Sequence, residues 1–461
     1  MGNKLKKKHP KHNIELILRG SIWKAILSLA IPVIINSLLQ TMYNLTDTYW
    51  LGQIGTNQLA AINLVTPLQN IIINFGSGIT VAGSVLIAQY MGAKRTDEAN
   101  SMANQIFTCA MFFSVICAGI CFLMTPYIVG WLGAEGEPYR HSVTYMRIVI
   151  WDMPFLFMVN IFSAVNQAQG DTVKPMLLNL GGISLNMILD PLLMVGFSMG
   201  TAGAALATLL AKAVPAIAAF VILSRPGKDI YLHRRFMRVE KENLKLILRI
   251  GLPTALGGSS MQFGFLLMSR NVFAYGSQAM AAYGIGNKLN GLITMPINGV
   301  GSAVSTIVGQ NMGADQPERA QKAYKVAMNM GVVFLFIGGM ILSRDFMSRG
   351  LVQIFSEDPE VIAMASDFLS IMAFWCFTNG IYNCSTGLFN GTGHTEVTMA
   401  MEASRLWIFR FATLWFCETI LHMGVRSVWY SVVVSNGIGA VILYILYRKG
   451  VWKKARIKVN K

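Results

Sequence analysis

Runs of about 20 apolar residues recur from one end of the chain to the other, and this pattern decides the solvent in which the chain folds. A soluble helix carries an apolar stripe and a polar back. Segments such as 100–125 and 201–224 are instead apolar around nearly their whole circumference. Of the 461 residues only 13% are charged, where soluble domains carry about a quarter. The bilayer is therefore the expected environment of most side chains. Apolar runs between charged or Gly/Pro breaks give helices near 24–50, 58–90, 100–125, 141–168, 173–196 and 201–224. A second set lies near 245–274, 278–310, 322–343, 360–390, 395–421 and 425–447.

The second constraint is an internal repeat. Placing residue n against n+221 aligns Pro32 with Pro253, Gly55 with Gly276, Ala60-Ala61 with Ala281-Ala282, and Gly78 with Gly299. The run Gln89 to Ala93 then meets Gln310 to Ala314, and further on Gly170 to Thr172 matches Gly393 to Thr395 at an offset of 223. Six spans per repeat is an even number, so both halves enter the membrane in the same sense. The expected fold is an all-α integral membrane protein with twelve transmembrane helices in two pseudo-symmetric six-helix lobes. Its parts are a basic N-terminus 1–23, a first lobe 24–224, a linker 225–244, a second lobe 245–447 and a basic tail 448–461.

The formal charge of +16 raises the question of nucleic acid, and its location answers it. The excess sits in residues 1–19, 225–249 and 448–461, each flanking an apolar span. The positive-inside rule accounts for all three and puts both termini and the linker in the cytoplasm, with no nucleic-acid partner. The first basic stretch lacks a small-residue cleavage site after it, so its apolar run reads as a membrane span rather than a signal peptide. The six cysteines lie inside apolar runs without a C-x-x-C pair and read as thiols within helices. No zinc-hydrolase, nucleophile-elbow or phosphate-loop motif is present, which argues against an enzyme or an ATP-driven pump and leaves no catalytic residue and no cofactor to assign.

Ionisable groups inside a membrane are costly, so each is a candidate site. Asn186 and Asp190 are four apart and share a helix face, and Pro191 denies the Met187 carbonyl its helical partner. A carboxylate, an amide oxygen and a freed carbonyl suit a proton or a small hard cation; an ordinary Asp-Pro helix end is the alternative. Asp47 lies 15 residues after Pro32, about 22 Å along a helix, at a depth comparable to that of Asp190. Two neighbouring buried carboxylates do not both ionise easily, which suits loading and unloading of a proton. An interfacial Asp47 capped by nearby Thr and Asn is the plainer reading. Thr208 is expected at a similar depth, either at the same pocket or bonded to its own backbone. Lys212, one turn on, either pairs with one of these acids or snorkels. Asp152 either pairs with Arg147 or faces a cavity as a counter-charge.

With these residues in place the chain resembles the multidrug and toxic compound extrusion (MATE) family over nearly its whole length. The resemblance rests on the Pro32 to Gly52 segment, the Q-x-M-G-A turns, the Asn186 to Pro191 motif and the twofold repeat. It is most similar to the DinF-like branch, which implies a cation-handling site (H⁺ or Na⁺) at Asp47, Asn186, Asp190 and Thr208, and a helix-bend hinge at Pro32. It further implies export of cationic amphiphilic compounds in exchange for H⁺ or Na⁺ by alternating access, from a monomer in the inner (plasma) membrane. The NorM-like branch carries acids in its seventh and tenth helices, whereas the seventh here offers Gln262 and Arg270 and the tenth Asn379 and Asn383 at its middle, with Asp367 near its start. A cation site in the second lobe is therefore not expected. Arg405, Trp407 and Arg410 make the eleventh span positive, with Glu402 or Glu418 as the expected partners. Asp152, Lys212, Gln262, Lys288, Asn379, Asn383 and Arg410 form a wider set of cavity or gating candidates. Lys212 and Lys288 also keep open a flippase for a lipid-linked precursor, which needs cations for phosphate.

Overall fold

A computed structural model of the chain describes residues 10–54, 56–131, 136–227, 229–233 and 237–453. The first nine residues, Gly55, the turn through Glu135, part of the 225–244 linker and the tail from residue 454 lie outside the described residues. Among those described, every regular element is helical. The long stretches are α1 (Ile22–Ile54), α2 (Thr56–Gly92), α3 (Thr96–Trp131), α4 (Tyr139–Ala168), α5 (Val173–Gly196) and α6 (Gly200–Leu223). They continue as α7 (Lys241–Phe273), α8 (Ser277–Gly313), α9 (Pro317–Leu342), α10 (Pro359–Phe374 and Phe377–Gly391), α11 (Thr395–Ser404, the π turn Arg405–Arg410, Phe411–Thr419) and α12 (Arg426–Arg448). The halves of α10 meet at a 57° bend. Eight of these helices, or nine with α10, are long and apolar enough by themselves to cross a bilayer. Charge explains one of the others, since α11 carries Glu402, Arg405 and Arg410, while the charge-free part of α7, residues 250–269, is diluted by Gly, Ser, Thr and Gln.

The burial pattern is that of a multi-pass membrane protein. Large apolar side chains point outward along α3, α5 and α9, with Leu123 70%, Ile188 64% and Phe334 59% exposed. In water such a surface would drive association. In lipid it is the solvated face, and polar and small residues line the inside.

The chain divides into two compact units: residues 1–14 with 35–255, and 15–34 with 256–461. These differ from the lobes expected from helix order. The start of α1 belongs with the second unit and the start of α7 with the first. Each helix changes unit just after its proline, Pro32 or Pro253, which are the repeat-related pair. A proline donates no backbone hydrogen bond, so the preceding turn is the weak point of each helix. Reading spans as whole objects hides this crossing.

Glycine holds both starts in place. A Cβ on Gly78 would sit 2.3 Å from the Gly251 carbonyl oxygen, and one on Gly251 would sit 2.9 Å from that of Gly78, so α2 and α7 touch backbone to backbone in the first unit. The repeat partner of Gly78 is Gly299. In the second unit a Cβ on Gly299 would meet Ile34 Cγ1 at 2.6 Å and the Ala30 carbonyl oxygen at 3.2 Å, and Ala30 is the repeat partner of Gly251. The sequence repeat is thus a repeated helix crossing.

The linker after α6 is clamped in the first unit by the polar start of α3. The buried Asn104 donates to the Tyr231 carbonyl at 2.9 Å and accepts from the His233 N–H at 2.8 Å. Asn100 Oδ1 accepts from the Tyr231 N–H at 3.0 Å, and Gln105 Oε1 from that of Glu240 at 3.0 Å. Side-chain amides suit this role because each supplies both a donor and an acceptor to an irregular backbone.

Candidate functional site

Four helices of the first unit bring its ionisable side chains together, each for a local reason. On α1 a polar stripe, Asn36, Gln40, Tyr43 and Asp47, repeats at three- and four-residue steps and so keeps to one face. On α5, Asn179, Asn186 and Asp190 do the same; past Pro191 the ladder loosens into a π turn, Leu192–Gly196. In α4, Pro154 sits in the first turn of the segment Met153–Ala168, and the chain enters it through a 3-10 turn, Ile150–Asp152. That turn buries Asp152. Thr208 and Lys212, one turn apart, come from α6.

Asp190 is 0% and Asn186 1% exposed. Neither oxygen of Asp190, and neither polar atom of the Asn186 side chain, has a hydrogen-bond partner. Asn186 is a near neighbour of the carboxylate, yet no hydrogen bond of ordinary geometry joins them. Buried polar groups are almost always matched, so three unmatched oxygens and one unmatched amide N–H group on one face are an unusual concentration of unused polar capacity for a small ligand. Thr208 is buried and Asp47 partly so. The charges of Asp47, Asp152 and Asp190 all act on the hydroxyls of Tyr43 and Tyr145, and the Tyr43 hydroxyl is within hydrogen-bonding reach of Thr208. The two tyrosines therefore tie the three acids into one cluster.

Beside this cluster lies a cavity of about 90 Å³ whose polar lining is Gln40, Tyr43, Asn179, Asn186, Thr208 and Lys212. It has room for water or a small ion. That suits a proton relay or a partly hydrated small cation and is too small for a drug-sized molecule. Asn179 is held by a 3.1 Å hydrogen bond to Asn36. The cavity lining itself offers amide and hydroxyl oxygens, and the carboxylates lie outside that lining; together they are the oxygen set that hard cations take.

Lys212 forms an ion pair with Asp152. Of the two alternatives left by the sequence for Asp152, Arg147 is not its partner; that guanidinium lies over the Phe122 ring, 5.4 Å from its centroid. The pair is nearly buried at Asp152 and about a third exposed at Lys212. It fixes one acid as a permanent counter-charge and leaves Asp47 and Asp190 without a cation bound to them among the described residues.

The remaining candidates belong to the second unit. Asn379 is buried and its carbonyl accepts from the Asn383 amide at 3.0 Å within α10, while Gly301 of α8 packs on the Asn383 backbone, which makes this a packing motif. Gln262 is partly buried on α7 and Lys288 is exposed on α8. Arg410 is buried in the π turn of α11. Glu418 is not its partner, since it accepts from the Tyr275 hydroxyl at 2.7 Å; nor does Glu402 come within ion-pair distance among the described residues.

Sequence reading missed Tyr43, Tyr145, Gln40 and Asn179. The signal for the α1 pair was present, since Gln40, Tyr43 and Asp47 share a face, and Asn179 lies seven residues before Asn186 on the face of α5. Tyr145 carried no such signal, because its neighbours come from other helices.

The comparisons agree with this architecture. The MatE family model matches residues 32–192 and 253–416, the two halves of the repeat. The chain is 24% identical to the multidrug export protein MepA of Staphylococcus haemolyticus, covering 93% of this chain and 94% of that protein. It is 25% identical to the probable multidrug resistance protein NorM of Thermotoga maritima, covering 95% and 94%. Among solved structures it is similar to a MOP superfamily transporter from Pyrococcus furiosus, with a TM-score of 0.89, 24% identity and coverage of 96% of this chain and 99% of that one. It is likewise similar to the outward-facing conformation of a multidrug resistance MATE transporter, with a TM-score of 0.87, 24% identity and coverage of 95% and 98%. These are transporters and not enzymes. With both repeats matched across most of its length, the chain belongs to the MatE family.

Proposed function

We propose that this chain is a multidrug exporter that expels cationic amphiphilic compounds in exchange for H⁺ or Na⁺ by alternating access, with Asp47, Asn186, Asp190 and Thr208 as the coupling site. The export reading draws on the multidrug export relatives. The observation that carries the coupling reading is the set of unmatched polar atoms on Asn186 and Asp190, buried beside a small polar cavity in a unit that also holds Asp47. The resemblance to the DinF-like branch implies the same four positions.

In the proposed cycle the outward-open protein takes H⁺ or Na⁺ onto Asp47 and Asp190. Neutralising the pair changes the hydrogen bonding of Asn186, Thr208 and Tyr43, and α1, weakened at Pro32, rearranges. The compound bound in the first lobe loses affinity and leaves, and discharge of the ion to the cytoplasm resets the cycle. Ion and compound must each favour a different state, since equal binding to both shifts nothing. The Asp152–Lys212 pair stays neutral throughout, so Lys212 is not free to receive a phosphate, which weighs against a lipid-linked precursor as substrate. Both termini are proposed to be cytoplasmic, with a single chain in the inner membrane as the working unit.

The test is export of a fluorescent lipophilic cation from cells carrying Asp47→Asn, Asn186→Ala, Thr208→Ala or Pro32→Ala, with membrane levels of each variant measured in parallel. Loss of export at normal abundance is expected for the first three and slowed export for Pro32→Ala. Wild-type export by Asp47→Asn and Asn186→Ala together would remove the coupling site from the account.

A further inference from the structure

Arg405 and Arg410 stand at the two ends of the π turn in α11, inside the second unit. Five residues apart on an α-helix, they would point about 140° from one another. A π turn closes residue i on i+5 and brings both to one side. There they share an acceptor: Arg405 Nη1 and Arg410 Nη2 each reach Asn436 Oδ1 at 3.4 Å. Arg410 Nε donates to Ser435 Oγ at 3.2 Å, and Arg405 Nη2 meets Met261 Sδ at 3.4 Å. The Arg405 guanidinium also lies 4.4 Å from the centroid of the Tyr382 ring.

What this cluster lacks is enough negative charge to balance its two cations. Arg410 is 3% exposed, and its Nη1 has no partner; nor has Nε of Arg405. The buried Tyr382 hydroxyl of the same cluster has Thr386 as a near neighbour but makes no hydrogen bond of ordinary geometry. No carboxylate lies within ion-pair distance of either arginine among the described residues. Glu402, the acid that acts on Arg405, opposes two cations with one charge. Two guanidiniums around a single neutral amide oxygen is an arrangement that a low-dielectric interior does not tolerate without a counter-charge.

We propose that Arg405 and Arg410 hold one small anion, a chloride or the phosphate group of a phosphate-bearing molecule, beside Asn436. The unmatched Nε of Arg405 and Nη1 of Arg410 bind it, and the Tyr382 hydroxyl is the third donor within the cluster. This site is separate in the chain from the acids of the first unit and does not depend on the coupling role given to them. A bound anion completes the charge balance of α11 and locks the π turn in place.

The test is thermal unfolding of the purified full chain in detergent and sodium gluconate, titrated with sodium chloride or sodium phosphate at constant ionic strength, and separately with phosphatidylglycerol. The wild-type midpoint rises and saturates with the anion that binds. A rise with lipid alone identifies the phosphate source as a lipid headgroup. Arg410→Gln loses the response. Because that variant also loses packing, Asn436→Asp is the sharper probe: it supplies the missing charge between the guanidiniums, and it unfolds at or above the saturated wild-type midpoint with no response to any anion. A wild type that responds to none of the three, or an Asn436→Asp variant that responds as the wild type does, overturns the proposal.

Discussion

Replacing Lys212 by Met removes the cation from Asp152 while keeping the length of the side chain. Asp152 is then a buried carboxylate with no counter-charge, its side chain 8% exposed. Breaking a fully buried pair costs about 3–5 kcal/mol. The third of Lys212 that is exposed argues for the lower part of that range, through screening of the original pair. The expected cost is therefore about 3–4 kcal/mol. Spread over the unfolding entropy of a chain this long, that is a fall of roughly 4 °C in the unfolding midpoint. The double variant Asp152→Asn/Lys212→Met removes both charges and recovers most of the loss. The assay is intrinsic-fluorescence unfolding of the four proteins of this cycle at pH 7.5. A Lys212→Met midpoint equal to wild type at pH 7.5, or a double variant no better than the single, would refute the pairing argument.

Two further substitutions test the fold. Asn104→Leu keeps a similar volume but strips the linker backbone of two hydrogen bonds; it should cost about 1–3 kcal/mol and speed trypsin cleavage within 225–249, whereas unchanged cleavage would show that the clamp is dispensable. Gly78→Val places a side chain where even a Cβ meets the Gly251 carbonyl oxygen at 2.3 Å, so expression of folded protein should collapse, while Gly291→Ala, with nothing within 4 Å of its Cβ, serves as the neutral control. Monodisperse Gly78→Val protein on size exclusion would contradict the crossing.

Much of this architecture was legible in the sequence because the bilayer imposes a crude code. Apolar runs marked the spans, and the offset of 221 marked the repeat, since the two halves keep Pro32 with Pro253 and Gly78 with Gly299 at the matching helix crossing. The crossing of α1 and α7 between units was not legible, because a span reads as one object whichever unit packs on each of its ends. Asp190 and Asn186 stood out as an acid and an amide at i and i+4 beside a proline, a local signal. Tyr145 and the choice of Lys212 for Asp152 required knowing which helices are neighbours, which no single helix reports. The amides Asn100, Asn104 and Gln105 carried no signal of their own, since only the returning linker shows what they hold. The arginines of α11 read only as positive charge in the span, and it is the π turn that puts them side by side.

The most direct test of coupling is efflux of a fluorescent lipophilic cation from proteoliposomes, with a pH gradient or a Na⁺ gradient imposed separately, for wild type and Asp190→Asn. The account predicts efflux driven by one of the two gradients in the wild type, which names the ion, and its loss in the variant. Gradient-driven efflux by Asp190→Asn at the wild-type rate would contradict it.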